Sequence, residues 1–305
     1  MDNNFVIYAE NLTKKFNDFV AVDSINFFVK KGESLGILGP NGAGKTTTVR
    51  MISCFLPPTA GILKVFDLSV YRFPRQIKSR LGICQQEDNL DPDLNVYQNL
   101  FVYSRYFDIK RSVAEKRIDY LLKFVGLSNK KTSYIREISG GMKRRLMIAR
   151  SLVNEPDFLI LDEPTTGLDP QARNQVWDSL IELKKKGTGF VLTTHYMDEA
   201  EKLCERLIIM DQAKIIVEGT PDYLINKYIG KYVIEISNIS SEIENFIKSK
   251  NVNFEKTSSR MLIFTDKSES FFSEIKEKFC GSLCSLRLAT LEDVFLKLTG
   301  RELRD

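Results

Sequence analysis

Apolar residues recur along this chain in short, separated runs, and their spacing predicts alternating strands and helices. Near the N-terminus, β-rich stretches cover Phe5–Tyr8 and Phe19–Val22, and Ile25, Phe27 and Val29 then alternate with other side chains. An alternation of period two is typical of a strand that buries one of its faces. We therefore expect this first segment to form strands.

Beyond it, continuous apolar runs alternate with helical patterns. The predicted strands are Ser34–Leu38, Phe158–Leu161, Phe190–Thr193 and Leu207–Met210. The predicted helices are 44–54, 94–125, Gln171–Lys185 and Met197–Cys204. A strand that is apolar at every position is typical of a parallel sheet with helices on both faces. Residues 1–225 are thus predicted to form one α/β domain.

A second pattern starts after the turn Gly219-Thr220-Pro221. It predicts strands at 232–237, 260–265 and 283–288, helices at 241–250 and 268–279, a weaker strand at 252–255 and a last helix at 291–298. The order βαββαβ is that of a ferredoxin-like α+β fold. We predict a small C-terminal domain over residues 226–305, in which no catalytic constellation is recognisable.

The composition is that of an ordinary globular protein, with 43% hydrophobic and 28% charged residues. The formal net charge is only +4 over 305 residues, and basic and acidic residues are interspersed. We therefore expect no nucleic-acid-binding surface. No apolar run approaches the roughly 18–20 residues of a membrane helix, and the N-terminus lacks the pattern of a signal peptide. We expect a cytoplasmic protein that acts on a membrane only through a partner.

The first candidate for chemistry is a glycine-rich loop that matches G-x-x-x-x-G-K-[ST] in full. Its residues are Gly39, Pro40, Asn41, Gly42, Ala43, Gly44, Lys45 and Thr46. Glycines let the backbone wrap phosphates with its N–H groups pointing inwards, and the following helix presents its positive N-terminus. Lys45 would attract the β- and γ-phosphates, and the Thr46 hydroxyl would ligate Mg²⁺. Because a predicted strand precedes the loop and a predicted helix follows it, we interpret the loop as a phosphate site.

The second candidate is an apolar strand that ends in two carboxylates. Phe158–Leu161 is followed directly by Asp162 and Glu163. At the carboxyl end of a buried strand, Asp162 would join the Mg²⁺ shell, and Glu163 would orient and deprotonate the attacking water. Alone, this pattern also fits a core strand capped by surface acids. The phosphate loop favours the catalytic interpretation.

The third candidate is a predicted helix N-terminus. Ser139-Gly140-Gly141 opens a helix whose first turns carry the basic run Lys143–Arg145. Exposed N–H groups and the helix dipole make such a start an anion site. A chain with a single phosphate loop offers no obvious second anion for it.

Together these motifs resemble those of ATP-binding-cassette (ABC) nucleotide-binding subunits, over roughly residues 4–220. ISGGM at 138–142 is similar to the family signature LSGGQ, with Ile138 and Met142 in place of Leu and Gln. Residues 291–295 and 300–303 resemble the tail of the daunorubicin-resistance-like branch, which serves drug, antibiotic and polysaccharide exporters. The resemblance implies a P-loop NTPase (RecA-like) core with an N-terminal antiparallel β subdomain and a helical signature subdomain.

The resemblance also implies a role for each matching residue. Phe16 would stack on adenine, and Gln86 would contact Mg²⁺ or the attacking water and sense the membrane partner. Asp169 would reach the opposite subunit, and His195, the only histidine, would act at the γ-phosphate. Gln85 stands before Gln86, where the family commonly has proline. The implied nucleotide-binding residues are Phe16, Gly39, Pro40, Asn41, Gly42, Ala43, Gly44, Lys45, Thr46, Thr47, Gln86, Ser139, Gly140, Gly141 and Asp169. The implied metal ligands are Thr46, Gln86 and Asp162, and the implied catalytic residues are Glu163 and His195.

The function implied by this resemblance is that of an ATP-hydrolysing subunit of an exporter. Two copies would close head to tail around two ATP molecules with Mg²⁺, and a separate transmembrane permease would use the motion. Such a subunit is peripheral on the cytoplasmic face of the membrane. Two alternatives remain, a soluble ABC ATPase that acts on ribosomes or DNA, and a regulator that binds ATP without hydrolysing it.

Overall fold

The computed structural model describes residues 5–237, 239, 241–250, 252–256, 260–266, 269–280 and 284–300. The chain divides into two units between Val217 and Glu218, whereas the sequence pattern placed the boundary after residue 225. In the described ranges, no helix is both long enough and apolar enough to cross a membrane.

The elements of the first unit alternate between strand and helix after an initial pair of long strands. In chain order they are β1 (Phe5–Phe16), β2 (Phe19–Lys30), β3 (Ser34–Leu38), α1 (Lys45–Ile52), β4 (Ala60–Val65), β5 (Leu68–Ser69), α2 (Pro74–Arg80), β6 (Leu81–Cys84), α3 (Val96–Arg105), α4 (Arg111–Phe124), α5 (Gly140–Ser151), β7 (Phe158–Asp162), α6 (Pro170–Lys185), β8 (Gly189–Thr194), α7 (Met197–Leu203), β9 (Arg206–Asp211) and β10 (Lys214–Gly219), the last of which runs into the second unit.

A six-stranded sheet in the order β10-β9-β3-β8-β7-β6 forms the centre of the first unit. Strands β9, β3, β8, β7 and β6 pair in parallel. Every residue of β3, β7 and β8 is buried, as expected for strands covered on both faces. Because the strands are parallel, the loops after β3, β7 and β8 all leave from the same edge of the sheet.

A second, antiparallel sheet has the order β2-β1-β4-β5. The predicted alternation of the N-terminal segment is confirmed, and β1 and β2 form a hairpin in which Phe16 pairs with Phe19. Strands β4 and β5 were not predicted. Their alternation is short, and the turn between them places Phe66 and Asp67 in the left-handed region with φ of 53° and 60°.

The helical pattern predicted over residues 94–125 is confirmed over most of its length, but the structure divides it into two helices, α3 and α4. The backbone turns at Asp108, which has a left-handed φ of 53°. Asn95 starts α3 with a capping box, in which its side chain accepts from the Gln98 N–H and the Gln98 side chain accepts from the Asn95 N–H. Helical apolar periodicity is present on both sides of the turn, so the periodicity alone does not show where one helix ends and the next begins.

The second unit follows the predicted order of elements. They are α8 (Pro221–Tyr228), β11 (Tyr232–Ser237), α9 (Ser241–Ser249), β12 (Phe254–Lys256), β13 (Arg260–Thr265), α10 (Glu269–Ile275), a π-helical turn (Lys276–Cys280), β14 (Cys284–Leu288) and α11 (Leu291–Thr299). The sheet is antiparallel at each pairing, in the order β12-β13-β11-β14, which is the ferredoxin-like topology. Helix α8 belongs to this unit, where the Lys297 ammonium of α11 donates to the Tyr228 carbonyl at 2.6 Å.

Replacing Ile37 by Ala should lower the free energy of unfolding of the first unit by about 2–5 kcal/mol, since a cavity remains in a packed core. The Ile37 side chain in β3 is 1% exposed, whereas Ile62 in β4 is 49% exposed. The control Ile62→Ala should cost less than about 1 kcal/mol. Urea unfolding followed by the fluorescence of Trp177, the only tryptophan, measures both. Equal losses in the two variants would contradict the placement of β3 at the centre of the core.

Candidate functional site

The glycine-rich loop connects the end of β3 to the start of α1, and two of its positions admit only glycine. Gly44 has a φ of +102°, and a Cβ there would lie 2.5 Å from the carbonyl oxygen of Ala21. A Cβ on Gly39 would lie 2.3 Å from the carbonyl oxygen of Met210. The loop therefore packs closely against its neighbours and leads directly into α1, whose N-terminus is the positive end of the helix dipole.

Lys45 lies at the centre of this loop with only 5% of its surface exposed. Its Nζ donates to the carbonyl oxygens of Gly39 at 2.7 Å and Pro40 at 3.1 Å. The same Nζ is 3.7 Å from Oε1 of Glu163. The ammonium thus links the loop to the carboxylate that follows β7, and a bound phosphate would compete for the same charge.

Asp162 ends β7 and lies next to two hydroxyl groups. Its Oδ1 accepts from the Thr46 hydroxyl at 3.3 Å and from the Thr193 hydroxyl at 2.5 Å. Burial raises the pKa of Asp162, and the hydrogen bonds from Thr193 and Thr46 oppose that shift. A buried carboxylate beside a hydroxyl is an oxygen pair of the kind that Mg²⁺ binds, so these residues fit the predicted metal site.

Glu163 is the residue on which the site converges. It is 6% exposed, and its φ of +46° is a left-handed conformation that non-glycine residues rarely adopt. Its Oε2 accepts from Gln86 Nε2 and from the Thr166 hydroxyl, each at 3.0 Å. Such strain persists only where surrounding contacts enforce it, and it is frequent at functional sites.

His195 follows β8 and faces the same carboxylate. Its Nδ1 is 3.5 Å from Glu163 Oε2, which is long for a hydrogen bond, and Nδ1 has no other partner among the described residues. The pKa of Glu163 lies below its usual value because His195, Thr166 and Lys45 stabilise the carboxylate, although burial opposes them. Glu163 is therefore ionised at neutral pH.

A cleft of about 180 Å³ collects several of these groups, although Asp162 and His195 are not among its lining residues. It is lined by Phe19, Ala21, Pro40, Asn41, Gly42, Ala43, Gly44, Lys45, Thr46, Thr47, Gln86 and Glu163. The structure thus brings together the predicted loop, Gln86 and Glu163. Phe19 and Ala21 were not predicted, and they come from the strand that pairs with β1.

The aromatic position at the cleft has two candidates. Phe16, the predicted residue, is 45% exposed and is not among the residues that line the cleft, whereas Phe19 is 64% exposed and does line it. The two are paired across the β1–β2 hairpin. In the sequence, the feature that could have pointed to Phe19 is that it is an aromatic residue beside the turn between β1 and β2.

Ser139 and Asp169 lie outside the cleft, and each caps a helix. The Ser139 hydroxyl accepts from Met142 N at 3.3 Å, and Asp169 Oδ1 accepts from Ala172 N at 2.9 Å. Both residues are exposed, as is Gly140. A Cβ on Gly141 would lie 2.7 Å from that of Ala172, so the starts of α5 and α6 pack against each other on this surface.

A larger open cavity of about 670 Å³ lies in the second unit. Several of its charged groups pair with one another or with the backbone. Lys250 pairs with Glu274 at 3.0 Å, and Asp266 accepts from the Lys231 N–H at 3.0 Å. Nothing in its lining resembles the convergent groups around Glu163.

Residues 22–166 match the family model described as "ABC transporter". The chain is 43% identical over 300 residues to "Nod factor export ATP-binding protein I" of Burkholderia lata, with 97% of each protein covered. It is 41% identical to the protein of the same name from Cupriavidus metallidurans, with 98% of this chain and 99% of the relative covered.

Solved structures of ATP-binding cassettes share the fold. The cassette MJ0796, described as a dimer in a post-hydrolysis state bound to ADP and Pi, has a TM-score of 0.65 at 26% identity and covers 70% of this chain and 98% of its own. The cbiO1 protein of Clostridium perfringens, part of the ABC transporter complex cbiONQ, has a TM-score of 0.66 at 30% identity and covers 72% of this chain and 89% of its own.

Replacing Lys45 by Ala should lower the affinity for Mg-ATP about 10- to 100-fold, because a charged hydrogen bond contributes about 1.5–3 kcal/mol. Lys64→Ala is the matched control, since Lys64 is a surface residue paired with Asp67. Titration with a fluorescent ATP analogue measures both. An unchanged affinity in Lys45→Ala would remove this residue from the phosphate site.

Proposed function

This chain belongs to the ABC transporter family, and we propose that it is the ATP-hydrolysing subunit of an exporter. The observation that carries the proposal is the convergence of Lys45, the Thr46–Asp162 pair, Gln86 and Glu163 around the glycine-rich loop. Each group that phosphoryl transfer to water requires is present: a phosphate cradle, candidate metal ligands and a carboxylate that can orient water.

ATP binding would use the loop and Lys45. The N–H groups at the start of α1 and the Lys45 ammonium would bind the phosphates, and Lys45 would exchange its carbonyl partners for phosphate oxygens. Phe19 or Phe16 would supply the aromatic face for adenine. Thr46, Asp162 and Gln86 would hold Mg²⁺, which neutralises the charge of the phosphates when it is bound.

Hydrolysis would depend on Glu163. Because the carboxylate is ionised and buried, it can accept a hydrogen bond from water and then take its proton. In the structure, Gln86 and Thr166 donate to the oxygen Oε2. Water activation at Oε2 therefore requires at least one of these donors to move, and His195 lies close enough to the same oxygen to help position the water.

We infer a head-to-tail dimer from residues that match the family motifs but do not line the cleft. Ser139, Gly140 and Asp169 match family motifs, yet they are exposed on a different surface of the unit. A second copy could place this surface over the cleft, so that the N-terminus of α5 meets the γ-phosphate. The dimeric state of the MJ0796 cassette supports this arrangement.

Coupling to a membrane permease is the further step of the proposal. The relatives named as export ATP-binding proteins cover nearly the whole chain, and cbiO1 is part of a transporter complex. We propose that this chain likewise works beside a separate permease on the cytoplasmic face of the membrane, where ATP is available. Export is the direction that these relatives support.

Replacing Glu163 by Gln should lower the ATPase rate at least about 100-fold while ATP still binds, since only water activation is lost. With Mg-ATP this variant should accumulate as a dimer in light scattering. The double variant Glu163→Gln, Ser139→Arg should bind ATP and remain monomeric, because the bulky cation obstructs the start of α5. Glu115→Gln, on the exposed face of α4, is the control and should keep the wild-type rate.

Each part of the proposal has its own contrary result. Normal turnover by Glu163→Gln would contradict the role of Glu163. A dimer that tolerates Ser139→Arg would contradict the part given to α5. A wild-type chain that does not bind ATP would contradict the proposed function as a whole.

A further inference from the structure

Arg144 makes an unusual set of contacts for a residue in a basic run. It lies in the second turn of α5 and is 6% exposed. Its Nε donates to the Pro164 carbonyl oxygen at 2.6 Å. Its Nη1 donates to the carbonyl oxygens of Gln85 and, at 3.1 Å, of Gln86. Its Nη2 donates to the carbonyl oxygens of Asp162 at 2.8 Å and Glu163 at 2.7 Å. One guanidinium therefore bonds to five backbone carbonyls.

These carbonyls belong to two segments that are far apart in sequence. One segment, 85–86, follows β6, and the other, 162–164, ends β7 and continues beyond it. Each segment carries one partner of the contact between Gln86 Nε2 and Glu163 Oε2, which are 3.0 Å apart. Arg144 thus bridges the two backbones from which these side chains extend, just beyond Cys84 and Leu161, the last residues that pair between β6 and β7.

The neighbouring basic residues do not share this position. Lys143 has a side chain that is 33% exposed and lies 3.7 Å from Asp88. Arg145 points elsewhere, and its Nη1 donates to the Val125 carbonyl at 2.8 Å. The run Lys143–Arg145 is therefore not a uniformly solvated face, since only its central member reaches the site.

The chemistry of the guanidinium explains why arginine suits this role. It presents five N–H donors in a rigid plane, whereas lysine presents three donors on one atom. A buried charge is costly unless its donors are satisfied, and here carbonyl oxygens accept from all three nitrogens. The five carbonyls can keep their partners only if both segments stay in place.

We propose that Arg144 is a positioning residue for ATP hydrolysis, which holds the backbones of Gln86 and Glu163 at the separation that the reaction needs. The proposal rests on the proposed role of Glu163 in hydrolysis. Arg144 is not among the residues that line the nucleotide cleft, so it acts through these two residues. Because Arg144 lies on α5, the helix that Ser139 caps also supports Glu163 of its own subunit.

The test compares Arg144→Lys with Arg145→Lys in the full chain. Lysine keeps the charge at position 144 but cannot span five carbonyls. We expect Arg144→Lys to lower kcat about 10- to 100-fold, the effect of a displacement of about 1 Å in an active site, with the affinity for a fluorescent ATP analogue within about twofold of wild type. Arg145→Lys should leave both values unchanged.

Hydrogen exchange provides a readout that does not depend on turnover. Peptides covering residues 83–90 and 160–168 should exchange faster in Arg144→Lys than in the wild type, and Arg145→Lys should not change them. Arg144→Met, which lacks donors, should show the same local change more strongly. If Arg144→Met does not fold, Arg144→Lys alone decides.

Two results would overturn the proposal. One is a wild-type kcat together with unchanged exchange in Arg144→Lys. The other is a parallel loss of kcat, ATP affinity and thermal stability, which would make Arg144 a general structural residue. A wild-type chain that neither binds nor hydrolyses ATP would instead contradict the proposed function, so the two failures are distinguishable.

Discussion

The parallel register of β3, β7 and β8 is the constraint on which the site depends. Leu38 at the end of β3 pairs with Thr194 at the end of β8, and Asp162 at the end of β7 pairs with Thr193. Three loops therefore leave the sheet side by side, although the loop after β3 lies more than a hundred residues before the other two in sequence. The phosphate loop, the two carboxylates and His195 meet because parallel strands end at one edge.

Several charged side chains are buried at this edge of the sheet, although charged side chains are rarely buried in a protein core. Lys45, Arg144, Asp162 and Glu163 are each at most 6% exposed. Hydrogen bonds satisfy each of these charges. Lys45 donates to carbonyls of its own loop, Arg144 donates to backbone carbonyls of two segments, and the two acids accept from hydroxyl or amide donors. Glu163 also adopts a strained backbone conformation. Such exceptions to the rules of core packing are expected at functional sites.

The sequence predicted the elements best where one physical signal dominated. The apolar runs of β3, β7 and β8 confirm the predicted α/β class, and the order of elements in the second unit matches the ferredoxin-like prediction. The helical pattern predicted over 94–125 was confirmed, but its division into α3 and α4 was not predicted, since the apolar periodicity does not reveal the left-handed turn at Asp108. Strands β4 and β5 were missed because their alternation is short and interrupted by charged and polar residues.

Motifs carry the chemistry of this protein, so the sequence by itself determined the phosphate loop, the carboxylate pair and the family resemblance. Local chemistry requires those residue types at those spacings, whatever the rest of the chain does. Only the tertiary structure decided which aromatic lines the cleft, which donors hold Glu163, and that Arg144 joins two distant segments. These are contacts between residues far apart in the chain. They depend on the sheet register and the packing of helices, which no short segment of the sequence determines.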